Sequence, residues 1–186
     1  EGRAEVRVAQ RLAELDALAD GIRPRFEACN SGIERVNAIN EALFGEEGFR
    51  GNRLDYSNPE NSFLDRVLDT RLGIPITLCI VYLEVAERLG LRAAGVSFPG
   101  HFLAKVHLPE EDILIDAFMG ETLTPEACRA RLEEGRGRRI LFDSSMLEDS
   151  PRLDVLLRVL RNLKLIYLAT KSYTEALTCS EWMLLA

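Results

Sequence analysis

The stretch His101-Phe-Leu-Ala-Lys-Val-His-Leu108, followed by Pro109-Glu-Glu-Asp112 and Ile113-Leu-Ile-Asp-Ala-Phe118, decides the fold. Its apolar residues recur with a period of two. Phe102, Ala104, Val106 and Leu108 share one face of a strand, and His101, Leu103, Lys105 and His107 share the other. Residues 109–112 are turn chemistry, so the chain folds back into a second strand at 113–118. Upstream, Ala94-Gly-Val-Ser-Phe98 reads as a further strand, broken by Pro99-Gly100. Opposed residues of an antiparallel pair share a face. Facing Phe102 to Ile115 and Ala104 to Ile113 joins the apolar faces and sets His101 opposite Asp116. A slip by one residue would bury Asp116 and expose both isoleucines, so the parity is fixed. A shift by two keeps the faces and moves Asp116 one pair along.

Outward from this hairpin the period is helical. Pro75–Leu89 is apolar almost all round in its first two turns, through Ile76, Leu78, Cys79, Ile80, Val81, Tyr82 and Leu83, with Gly90 as its stop. Such a helix has to be covered on every side and forms the central rod of the core. Before it, residues 4–19 carry Val8, Leu12, Leu15 and Leu18 at helical spacing, with Gly21 as the expected stop. A second helix starts near Ser31 and aligns Ile33, Val36, Ile39, Ala42 and Leu43. Residues 46–51, with glycines at 45, 48 and 51, read as a loop. Asn58-Pro59 marks a turn. Asn61 or Ser62 caps the next helix, whose Phe63, Val67 and Leu68 face inward and whose end is Gly73. Thr124-Pro125 opens another helix. Residues 153–186 form a helical hairpin with Leu156, Leu157, Leu160, Leu163, Ile166 and Tyr167 on one face. It ends in the apolar run Trp182-Met-Leu-Leu-Ala186, which is expected to meet further protein or a partner. The expected class is α+β and mainly helical: a central buried helix on a small antiparallel sheet, one domain over 1–149, and the hairpin over 150–186.

A formal charge of −7 over 186 residues argues against a nucleic-acid surface. The cluster Arg136, Arg138 and Arg139 reads as a solvated loop. No run of eighteen apolar residues is present, so no membrane span is expected. Cys29, Cys79, Cys128 and Cys179 lie far apart without a CxxC pair and read as reduced core thiols of a cytoplasmic protein. Nothing calls for a cofactor. His101 and His107 are six residues apart on one strand face, about 20 Å, too far to share a metal ion.

An imidazole beside a carboxylate has two readings. It is the back half of a nucleophile–His–Asp arrangement, or a strand-edge histidine capped by an acid for packing. The blocks Asn61-Ser-Phe-Leu64, Arg71-Leu-Gly-Ile-Pro-Ile-Thr-Leu78, Phe98-Pro-Gly-His-Phe-Leu103 and Leu114-Ile-Asp-Ala-Phe118 resemble, in order and spacing, the bacterial SirB-type proteins. The resemblance covers roughly residues 54–186. It implies a transglutaminase-like core followed by tetratricopeptide-like helices, the latter matched by residues 160–177.

In transglutaminase-like enzymes a cysteine at the start of the central helix attacks an amide, served by a histidine and an aspartate on the following strands. The resemblance carries those two roles to His101 and Asp116. The cysteine position falls at residues 75–77, where there is none. Cys79 comes later, among Leu78, Ile80 and Leu83, away from the helix start that favours a thiolate. Thr77 sits closer but reads as a cap. Asn61, Ser62, Thr77, Pro99 and Gly100 are the expected lining of the cleft, with Asn61 and Ser62 either bonding the His–Asp pair or capping a helix. Two functions follow. One is a non-catalytic module binding a protein or peptide through the His/Asp cleft and the helical tail. The alternative is a cysteine-dependent amide hydrolase or acyltransferase using Cys79, His101 and Asp116. A basic patch on the partner would suit the acidic charge. Oligomeric state has no signature in the sequence.

Overall fold

Burial of one long stripe drives the first helix past its expected stop. The computed structural model describes residues 2–134 and 141–186. In it α1 runs over Gly2–Glu27, through both Gly21 and Pro24. Leu15, Ala19, Ile22 and Phe26 are buried on one face, whereas Val8 and Leu12 are exposed. The interior glycine costs about 1 kcal/mol and the interior proline about 3, of the order that burying Ile22 and Phe26 returns. Ser31 caps α2 (Gly32–Asn40) through the Glu34 N–H, as its side chain suggests. The helix then widens into a π-helical turn, Glu41–Glu46. Val36, Ile39, Ala42 and Leu43 are buried, but Ile33 is exposed.

The glycine-rich loop reading of 46–51 needs correction. Arg50–Gly51 (β1) pairs in parallel with Leu72–Gly73 (β2), so Gly73 is a strand residue rather than a cap. The helix between them, α3 (Leu64–Thr70), ends instead on Arg71 in the left-handed region, φ 61°. Neither Asn61 nor Ser62 caps α3. Its N-cap is Phe63, which gives no side-chain bond and is itself exposed, while Asn58 caps the short 3₁₀ turn Pro59–Ser62 through the Glu60 N–H.

The central helix α4 spans Pro75–Arg88, and Gly90 follows at φ +85°. It is covered by α1, by Val67 and Leu68 of α3, and by the sheet face carrying Phe102, Ala104, Val106, Ile113 and Ile115. That antiparallel sheet has the order β3 (Arg92–Val96), β4 (Leu103–His107), β5 (Asp112–Asp116), β6 (Glu121–Leu123). The short edge strand β6 had no sequence signal. The expected parity holds but the register is shifted by two: Ala104 faces Ile115 and Val106 faces Ile113. His101 therefore lies before β4 rather than in it. The sheet's other face buries Val96, Leu103, Leu114 and Leu123 against α5 (Pro125–Glu134), which opens on Thr124 as expected.

The C-terminal hairpin pairs α6 (Arg152–Ala169) with α7 (Tyr173–Leu185). The face that meets the core is rotated from the expected one. Val155, Val159 and Leu163 pack inward, and Leu156 is half exposed. The cysteines are all free. Cys79, Cys128 and Cys179 are buried, and Cys29 is half-buried just beyond α1. The Arg136, Arg138 and Arg139 stretch lies outside the described residues. No helix among those described is long and apolar enough to cross a membrane.

Candidate functional site

A tight turn delivers His101. Gly100 sits at φ +73°, where only glycine is unstrained, and the His101 N–H closes on the Phe98 carbonyl at 3.0 Å. Pro99 and the exposed Gly100 thus hold the histidine in place. The imidazole Nε2 comes to 2.9 Å from Asp116 Oδ1, an ion-pair separation in which the ring is not aligned as a hydrogen bond. The two residues meet despite the shifted register, because the turn reaches across to the end of β5.

Asp116 is fully buried and heavily engaged. Oδ1 accepts the Phe118 and Met119 amides, both at 3.1 Å, and Oδ2 accepts from Arg131 at 2.5 Å. Arg131 also pairs with Glu121. Burial pushes the carboxyl up, but His101, Arg131 and the Met119 amide outweigh it and hold Asp116 below the ordinary carboxylate range. Phe118 stands edge-on to the His101 ring at 6.3 Å, and Tyr56 stands edge-on to Phe118 at 5.9 Å.

No thiol faces this pair at the helix start. Thr77 is fully buried there, donating to the Asn61 carbonyl at 2.7 Å and accepting the Ile74 N–H at 3.2 Å. Its hydroxyl closes the first turn of α4, the role read for it. Cys79 is fully buried, with Sγ donating to the Phe102 carbonyl at 3.5 Å. Among the described residues no hydrogen bond joins it to His101. Burial, with a smaller contribution from the nearby Asp116 carboxylate and opposed by the Ala117 amide, pushes its thiol well above the ordinary range. The Asn61 side chain bonds neither the His–Asp pair nor a helix end, although its main-chain carbonyl accepts from Thr77. Its side chain bridges Asn52 at 2.9 Å and the Asp55 carbonyl at 2.7 Å, ordering the loop that carries Tyr56. Ser62 is buried, and its hydroxyl has no partner among the described residues.

Residues 9–161 match the family model of the transglutaminase-like superfamily. The chain belongs to that superfamily. The match runs from α1 into α6 and takes in the central helix, the sheet and the His101–Asp116 pair. The chain is similar to the UPF0162 protein of Xylella fastidiosa strain 9a5c, 36% identical over 174 residues, and to that of Pseudomonas aeruginosa, 31% identical over 169. Both alignments cover 91% of this chain and 62% of the relative, so the chain spans under two thirds of those proteins. Human F-box only protein 21 is 38% identical over 102 residues, half of this chain but 16% of its own length. No solved structure matches.

Three residues of this transglutaminase-like site escaped the sequence reading. Arg131 carries no local signal, because a helix after β6 brings it back to Asp116. Phe118 was counted only as strand. Arg158 did leave a trace, a cation three residues after Val155 on the inward face of α6. It donates to the His101 carbonyl at 2.7 Å and lies over the Phe102 ring at 5.5 Å, with no carboxylate partner among the described residues. Burial draws its guanidinium below the usual arginine range. Gly51 tests the packing of the cleft, since the Phe118 ring occupies the place of a Cβ there. Gly51→Ala should cost about 1–3 kcal/mol in urea denaturation by overpacking. It should also move the His101 ring proton resonances as Phe118 tilts away.

Proposed function

We propose that this chain is a non-catalytic transglutaminase-like module that binds a protein or peptide segment through the His101–Asp116 cleft and the helical hairpin. One observation carries the reading: the start of α4 holds Thr77 with its hydroxyl engaged on both sides, while the Cys79 thiol is buried against a main-chain carbonyl. A nucleophile needs a thiolate with access to substrate, and burial denies Cys79 both. What remains is a cleft with one partly exposed imidazole, aromatic walls from Phe118 and Tyr56, and the nearby Arg158, which suits recognition of polar main-chain groups. On the hairpin, Leu165, Leu168, Tyr173, Leu177 and Trp182 are exposed, which supports a tetratricopeptide-like role for it as a second contact surface. The acidic chain favours a partner with a basic patch. Free cysteines throughout fit a cytoplasmic setting.

The His101–Asp116 contact also favours a second reading, a hydrolase or acyltransferase in which Cys79 attacks an amide. Alkylation separates the two. Iodoacetamide at neutral pH, with adducts mapped by mass spectrometry, should modify the half-buried Cys29 first and leave Cys79 intact until denaturant is added. Labelling of Cys79 ahead of Cys29 in the folded protein would sink the binding reading and support the enzyme.

A further inference from the structure

A groove of about 630 Å³ runs between α4 and α6, within the usual size of a ligand site. Ile80 and Leu83 form one wall and Val155, Val159 and Leu163 the other, with β3 as the floor at residues 93–95. Neither His101 nor Asp116 lines it. We infer that this groove takes an extended peptide of alternating apolar residues with a basic residue among them, added as a strand to the open edge of β3.

The edge is the first reason. β3 is the outer strand of its sheet. The Gly95 carbonyl accepts the Ser150 N–H at 2.7 Å, and the Ser97 N–H donates to Ser150 Oγ at 2.9 Å. The main-chain groups of residues 95 and 97 thus face away from β4. By two-residue alternation the N–H and C=O of Ala93 face the same way, and neither has a partner among the described residues. Ser150 occupies the edge at residues 95 and 97, and the short open stretch around Ala93, inside an apolar groove, is the template for strand addition. A helix would fill the space and leave those groups unpaired. The second reason is Ser62. Only 4% exposed, it lines the same groove with its hydroxyl unpartnered, a group that an incoming amide would satisfy. The third is charge. Glu84, Glu87 and Asp149 line the groove and pair with Arg88, Arg152 and Lys105, so an acidic side chain would meet paired carboxylates and no free cation among the described residues lining it, whereas a basic one can share them in a chain of net charge −7.

The inference rests on the peptide-binding reading but on different residues, and its test keeps the two apart. The probes are acetylated hexapeptides alternating valine with lysine, and the same series with glutamate. Amide exchange followed by NMR on the wild-type protein should show the Ala93 N–H slowed at least about tenfold by the lysine series and unchanged by the glutamate series. Ala93→Pro removes the edge donor and leaves the β3–β4 ladder bonds in place, since that N–H takes no part in them. It should weaken binding of the lysine peptide at least about tenfold, while His101→Ala changes it by less than about twofold. Failure of every lysine peptide to protect Ala93, or unaltered binding by Ala93→Pro, overturns the groove site. Binding that is lost in His101→Ala and kept in Ala93→Pro overturns it while leaving the cleft reading standing. Absence of any peptide binding removes both.

Discussion

Asp116→Asn should destabilise the protein by about 3 kcal/mol at pH 7, the lower end of what removing one partner from a buried ion pair costs. The lower end applies because the Arg131 side chain is about a third exposed, so water can take up part of its freed charge. The asparagine oxygen can still accept the Phe118 and Met119 amides, so the loop keeps its shape. What disappears is the charge shared with His101 and Arg131. The pH dependence follows from the direction of the shift. A carboxyl held below its ordinary value contributes stability that is present above the unfolded pKa, about 3.9 for aspartate, and lost as pH falls through the lower folded value. The wild-type advantage over Asp116→Asn should therefore be full at pH 7 and shrink below about pH 4. Urea midpoints of both proteins at pH 7 and pH 3 check this. An advantage that persists undiminished at pH 3 would rule out the charge as its source.

Thr77→Val should cost about 2–4 kcal/mol, because it keeps the side chain's shape and deletes a hydroxyl bonded in two directions at a fully buried site. The Ile74 N–H at the head of α4 and the Asn61 carbonyl would both be left unpaired away from water. Thr77→Ser retains the hydroxyl and gives up one buried methyl, so its loss should stay near about 1 kcal/mol. Chemical denaturation of the two variants separates the effects, and equal losses would mean that the hydroxyl does not hold the helix start. The comparison also bears on function. At this helix start, residues 75–77, where the resemblance to transglutaminase-like enzymes implies a thiol, a clear gap between the two variants would mean that the Thr77 side chain is committed to the fold.

The central helix was readable because its first two turns are apolar on every side, a pattern that only a fully enclosed helix can carry. The hairpin strands were readable because parity is a local property: one slip would bury Asp116 and expose Ile113 and Ile115. Absolute register was not readable. A shift of two preserves every face, and the choice was made by the turn at Gly100, which keeps His101 ahead of β4 and sends the ring to Asp116 from a loop. Helix ends misled for a related reason. Gly21 and Gly73 look like stops, yet Ile22 and Phe26 are buried by carrying α1 onward, and Gly73 pairs with Gly51 in a strand that has no sequence pattern of its own.

Asn61 and Ser62 show the same limit within the site. Their residue types suit caps, but the 3₁₀ turn at residues 59–62 buries both, one to hold a loop and the other without a partner. By itself the sequence determined the class of the fold, the identity of its central helix, and the side of the sheet that each strand residue faces. These follow from periodicity and residue type, which act over a few residues. Only the tertiary structure decided that Arg131 and Arg158 complete the surroundings of His101 and Asp116, and that α6 stands off α4 to leave an open strand edge. Those contacts join residues tens of positions apart, and their geometry is set by how whole elements pack.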